Sequence, residues 1–393
     1  MAKGADEEVA MTDHMPDDVS AQGKDPRAYT DTLRPLQGIV RNRQGEWVLL
    51  AHALVVEAAL DPGRFSSAVS SHLHVPNGLD GDEHTAYREA LDGFLAADAL
   101  APFHDRFRQV AADLLAALPR GVAVDAVSQV GARFAVRAQS AWLSWPADLE
   151  DRLVAWVAEN HAATRSGERA WTQRVAQSFD EIIRSVLAHA RAAAGQGKSD
   201  TVTARLMRTE VNGRPLAEAE IVSVLRNWTG GDLGSMALCV GVLVHALATQ
   251  PALQQRLRLG MPDAELDAII DEILRIDDPF VSNRRVTTCP VTIGGVALPA
   301  GARVKLHWTS ANRDPAVIRD PEVMDPRRNA AHNLVYGIGQ HVCPGRALAT
   351  MQMRIMLREL LAATSSIALD PQQPPERAVS PVGGWAKVAV VLT

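Results

Sequence analysis

Cysteine is scarce: three residues in 393, at Cys239, Cys289 and Cys343. Three scattered thiols cannot make a disulfide framework, which fits a reducing cytosol. Long apolar runs are missing too. The longest, around Met236 to Ala248, is interrupted by His245 and falls short of the roughly 20 residues that span a bilayer. The N-terminus has neither a basic start nor an apolar h-region. Residues 1–25 lack apolar periodicity and read as a disordered leader, and the protein is expected in the cytoplasm, off the membrane. Nor is there an excess of positive charge. Lys and Arg number 40 against 46 Asp and Glu, a net charge of −6, which argues against nucleic acid as the main partner. No internal repeat is visible.

What is present is 47% hydrophobic residues, enough to bury a large core around a cofactor. Ile39-Val40 and Trp47–Leu50 flank a polar Asn42–Gly45 turn and predict a short sheet. From about Val55 to Arg275 apolar residues recur at helical spacing, with a flexible break at Gly195–Asp200 and a hairpin turn at Asn212-Gly213. One long helix is predicted from about Ala217 to Thr249, stopped by Pro251. It is apolar over most of its circumference after Ser235 and should cross the interior. Gly230-Gly231 in its middle cost about 1 kcal/mol each, so something should pack closely on the backbone there, be it a ligand or another helix. Val291–Ile293, Val296–Leu298 and Val304–Leu306 predict a small antiparallel sheet, and Lys387–Leu392 a last strand. The fold class is mainly α with small antiparallel sheets.

The most informative segment runs from Tyr336 to Arg346: Tyr-Gly-Ile-Gly-Gln-His-Val-Cys-Pro-Gly-Arg. Its glycines allow a tight loop that can approach a flat ligand. Ala347–Leu361 reads as an amphipathic helix, so Cys343 sits at a helix start that favours thiolate. A buried structural cysteine, a Cys–His nucleophile with His341, and a zinc ligand all compete for Cys343. The reading that uses every glycine is a haem ligand.

This segment resembles the haem-binding signature of the cytochrome P-450 family, with matches at Gly339, His341, Cys343 and Gly345, and with Tyr336 in place of phenylalanine. Glu272 and Arg275 resemble the family's Glu-x-x-Arg pair. The resemblance adds an arginine from Asp325-Pro-Arg-Arg328, taken to be Arg328. It also implies haem b, a single haem domain over residues 26–393, and a long central helix over the buried haem. Cys343 would be the axial iron ligand, with His84, Arg88, Arg285 and His341 holding the propionates.

The chain departs from the family at two places. The usual acid–alcohol pair of the long helix is replaced by Thr229-Gly-Gly-Asp-Leu-Gly-Ser235. One register puts Asp232 at the acid position and Leu233 at the alcohol. The preferred one, counted back from Pro251, puts Ser235 at the alcohol and Gly234 at the acid, with Asp232 as a possible substitute acid. A single inserted residue would turn the helix by about 100° and swap its apolar face. Pro344, next to the ligand, has no N–H for the sulfur.

The implied activity is insertion of one oxygen atom from dioxygen into a small hydrophobic or aromatic substrate, by hydroxylation or oxidative dealkylation. Ser235 and Asp232 would be the catalytic proton donors. Electrons would come from a ferredoxin and an NAD(P)H-dependent ferredoxin reductase, docking over the Cys343 side near basic residues such as Arg346. A peroxygenase using hydrogen peroxide, and a non-catalytic haem-thiolate sensor, are the competing readings. Family analogy lines the pocket from Ser70–Leu79, Asn160–Trp171, Asn227–Gly231, Val281-Ser282 and Gly383-Gly384.

Overall fold

A computed structural model describes residues 27–70, 72–194, 200–379 and 381–393. The leader and most of the Gly195–Asp200 break lie outside the described residues. The helices that place the site are α1 (Gly81–Leu91), α2 (Arg133–Leu143), α3 (Glu150–Ser166), α4 (Arg169–Ala194), α5 (Glu218–Thr249), α6 (Asp263–Ile276) and α7 (Arg346–Ala363).

Helix α5 is the axis of the molecule. By length and composition it could cross a membrane, with a mean hydropathy of 1.6, but 67% of that window is buried inside the protein. Its apolar circumference meets α2, α4, α6 and α7, and most of its side chains beyond Leu233 are buried. Its start is fixed by Glu220, whose carboxylate accepts from the Ala217 amide at 2.6 Å, and its end by the turn into Pro251.

Close crossings use glycine. Gly131, in the π-helical turn Ala126–Ala132, faces α5 so closely that a Cβ would lie 2.6 Å from the Ala237 carbonyl oxygen. Gly131→Ala is therefore expected to lower stability by about 1–3 kcal/mol through overpacking. The loss should appear in thermal unfolding despite the roughly 1 kcal/mol that alanine gains in helix propensity. A variant as stable as the parent would show that the crossing is looser than it looks.

Among the strands, those that frame the site are β1 (Ile39–Arg41), β2 (Trp47–Leu49), β3 (Phe65–Ser66), β4 (Ser282–Thr287), β5 (Val291–Ile293), β6 (Val296–Leu298) and β7 (Arg303–His307). The sheet expected from β5, β6 and β7 together does not form. The β5–β6 pair is a separate hairpin across Gly294-Gly295. Strand β7 belongs to a five-stranded sheet of order β1-β2-β7-β4-β3, parallel to β2 and antiparallel to β4. The polar sequence of β4 conceals it as a strand. Its alternation nevertheless turns Arg285 inward and Arg284 outward.

Candidate functional site

The cysteine loop is held by its own backbone. The Cys343 amide donates to the Tyr336 carbonyl at 2.9 Å, and Val342 N–H to Gly339 O at 3.0 Å. Gly339 adopts φ +77°, and a Cβ there would lie 3.0 Å from Leu60 and 3.1 Å from the Ala59 carbonyl, so only glycine fits both the turn and the space. Pro344 cannot donate to the sulfur; the backbone of Gly345, the N-cap of α7, lies beside it and pulls the thiol pKa down. Burial, with the charge of Asp232 behind it, pushes the Cys343 thiol up to about 11, against the pull of Gly345, Arg88 and Arg346. The helix start alone therefore does not make a thiolate. A metal cation at the sulfur would.

Beside the loop lies a polar edge. His341 Nε2 sits 3.0 Å from Asp80 Oδ1 and 3.1 Å from Ser67 Oγ. Its ring centroid is 4.3 Å from that of His84. Arg88, one turn after His84 on α1, donates to the carbonyls of Gln340 at 3.2 Å and Val342 at 3.1 Å. His84 is buried with no partner at Nδ1, and burial, then His341 and Arg88, pushes it down to about 4. Arg285 is buried and bonded to the Arg284 carbonyl at 2.8 Å, its pKa lowered by burial. These four cationic or polar groups converge from α1, β4 and the loop. An orphaned buried imidazole nitrogen and a buried guanidinium are what a dianionic group such as a pair of haem carboxylates would satisfy, so the residues present fit haem.

Behind the loop, Glu272 and Arg275 form a bidentate pair at 2.8 and 3.0 Å, with side chains 1% and 0% exposed. Arg275 also donates to the carbonyls of Asn312 and Pro321. The third member is not Arg328. Its guanidinium lies 3.5 Å from Asp325 and is 40% exposed. Asn329 instead donates to Glu272 at 2.7 Å, and the Asp325 amide does so at 2.9 Å. The short helix Pro326–Asn329 turns the position after Arg328 inward. Nothing local in the sequence marks that one-residue difference. Tyr336 bonds Thr350 at 3.1 Å and lies under Arg346, which is itself paired with Asp271 at 2.7 Å. The positive charge expected at Arg346 is thus already compensated.

On the opposite side, Ser235 donates to the Gly231 carbonyl at 2.7 Å and lines a cavity with Gly231, Gly234, Leu238, His161 and Val281. Asp232 is not part of that wall. Its Oδ2 accepts from Gln139 of α2 at 2.9 Å, and burial pushes it up to about 7. Gln139 of α2 thus holds the Asp232 carboxyl away from the cavity that Ser235 lines. The two glycines divide: Gly230 lies under the stacked rings of Trp156 and Phe179, while Gly231 is open. Asn227 and Ser223 tether the segment around Val75. Trp171 bonds Glu159 at 3.1 Å and lies outside the cavity wall. His161 falls within the Asn160–Trp171 stretch expected to line the pocket, but its contact with the Gly234 backbone was not foreseen.

The Cytochrome P-450 family model matches residues 264–382. The chain is 27% identical over 334 residues to the cyclomarin C epoxidase of Salinispora arenicola, covering 82% of this chain and 84% of that one. It is 26% identical over 354 residues to the erythromycin C-12 hydroxylase of Saccharopolyspora erythraea, covering 87% and 88%. Among solved structures, a mutant of P-450 EryK in complex with erythromycin B superposes with a TM-score of 0.83 at 24% identity, over 93% of this chain and 95% of that one.

Proposed function

This chain is a member of the cytochrome P-450 family, a haem-thiolate monooxygenase, and on that premise we propose that it inserts one atom of dioxygen into a compact, largely apolar substrate. The observation that carries this reading is the cysteine loop with the unsatisfied polar edge beside it. Cys343 would ligate the iron of haem b, and His84, Arg88, Arg285 and His341 would hold its carboxylates. Bound there, haem supplies the redox-active iron that activates dioxygen. The Gly345 backbone beside the Cys343 sulfur favours its negative charge and would temper its electron donation. Ser235 holds its hydroxyl on the cavity wall, within reach of a reacting group.

Leu238, Phe280, Val281 and Val382 give the cavity an apolar surface, and Asn160 and Thr164 add hydrogen-bonding groups. That mixture favours a hydrophobic substrate with a polar handle, either hydroxylated or dealkylated. Electrons would come from a separate ferredoxin and its NAD(P)H-dependent reductase, in the cytoplasm. The bare Gly234 at the family's acid position favours one second reading, use of hydrogen peroxide in place of dioxygen and a reductase.

The test is the spectrum of the purified holoprotein, reduced and saturated with carbon monoxide. We expect the strongly red-shifted band of a thiolate-ligated haem. A band at the position of an imidazole-ligated haem would refute the assignment of Cys343.

A further inference from the structure

We propose that His161 of α3, seated against the bare backbone of Gly234, is the proton-relay residue of the oxygen-binding cavity and works through Ser235. This rests on the haem-thiolate reading above. Gly234 sits in the interior of α5, where glycine costs about 1 kcal/mol relative to alanine. Its backbone is ordinary helix, so conformation is no reason for it. Space is. A Cβ at position 234 would lie 2.7 Å from His161 Nε2, 3.5 Å from Cδ2 and 3.6 Å from Cε1. The imidazole edge thus fills the volume in which the family's carboxylate would begin, and the two side chains exclude each other.

His161 and Ser235 line the same cavity. Ser235 gives its proton to the Gly231 carbonyl at 2.7 Å, which leaves the lone pairs of Oγ open to a donor. Among the described residues neither ring nitrogen of His161 has a hydrogen-bond partner. Among the described residues of the cavity wall, the one permanently charged side chain is Arg165, one turn along α3. The wall residues from α5, 279–282 and 381–382 carry no titratable group. Burial, and then Arg165, keep His161 below its ordinary pKa, and a neutral imidazole both accepts and donates.

A neutral ring can take a proton from solvent at one nitrogen and release one from the other. The released proton passes to Ser235 Oγ, directly or through water, as the hydroxyl proton moves to the reduced oxygen in the cavity. One proton enters for each delivered, and no electrons move through these groups.

The experiment uses the haem-loaded protein with hydrogen peroxide as oxidant and guaiacol as reporter. It needs neither the natural substrate nor the electron donor. General acid–base groups typically contribute about 100-fold or more. His161→Ala should therefore slow the peroxide reaction at least about tenfold and remove the fall in rate at acid pH. His161→Ala/Gly234→Asp, which puts a carboxylate into the vacated space, should recover much of the loss. A separate readout is thermal unfolding: Gly234→Ala should lower the Tm when His161 is present and not when it is alanine. An unchanged rate and pH profile in His161→Ala, or a double variant no faster than the single one, would overturn the relay. Loss of the thiolate band in the unmodified protein would instead strike the haem-thiolate reading.

Discussion

Alanine in place of Arg275 is expected to destabilise the protein by about 3–5 kcal/mol, the usual cost of leaving a buried charge without its partner. Both side chains of the Glu272–Arg275 pair are out of solvent. The remaining donors to Glu272, the Asn329 amide group and the Asp325 N–H, are neutral and cannot replace the lost cation. Arg275 also ties α6 to the carbonyls of Asn312 and Pro321, so the segment leading to the cysteine loop loses its anchor as well. Asn329→Ala should cost less, about 1–3 kcal/mol, for one lost hydrogen bond to a buried carboxylate. Arg328→Ala should lie within about 0.5 kcal/mol of the parent, because the side chain is on the surface. Urea unfolding of the three variants measures the order directly. If Arg328→Ala proved as costly as Asn329→Ala, the network drawn around Glu272 would be wrong.

The readable parts of this sequence are those whose physics is local. Glycine at 337, 339 and 345 announces a tight loop, and Pro251 ends a helix whatever surrounds it. The long apolar circumference of α5 leaves no position for it but the core. What escaped depends on distant chain. β7 pairs in parallel with β2 across about 250 residues, and nothing near Arg303 signals it. β4 is polar because it carries an inward arginine, and so hides as a loop. The choice between Arg328 and Asn329 is settled by one turn of a four-residue helix.

The same logic explains the oxygen side. Asp232 lies three residues from Ser235, roughly 60° around the helix. That separation is small enough for a sequence reading to place the two together. Gln139 decides otherwise, and α2 is known to pass there only from the fold. Conversely, Gly234 looks like a loss when read along the chain. Read in space, it is the near half of a contact whose far half is His161. A missing catalytic carboxylate is thus also a question about which neighbour has moved in.

Lowering the pH from 6.5 toward 4 is expected to remove up to about 3 kcal/mol of stability that neutral His307 contributes. His307 is buried, and desolvation pushes it down to about 4. Geometry agrees: its Nδ1 accepts from the Ser310 amide at 3.1 Å, capping the helix Trp308–Ala311, and a protonated Nδ1 could not accept. The folded-state pKa lies below the unfolded value, so the unfolded chain takes up the proton first as pH falls. The stabilisation is complete above 6.5 and lost by about 4. His245, half-buried with its ring 4.0 Å from that of Trp385 and also pushed down to about 4, works in the same sense. Asp232 and Asp278, raised by burial, oppose it, since their folded forms hold protons that the unfolded chain has released. The readout is therefore a difference between proteins rather than one raw slope. His307→Asn keeps a side-chain oxygen able to cap the helix and removes the titration. Its Tm should fall less steeply between pH 6.5 and 4.5 than that of the parent. Parallel curves would mean that His307 is already protonated in the fold, and that the Ser310 cap does not hold it neutral.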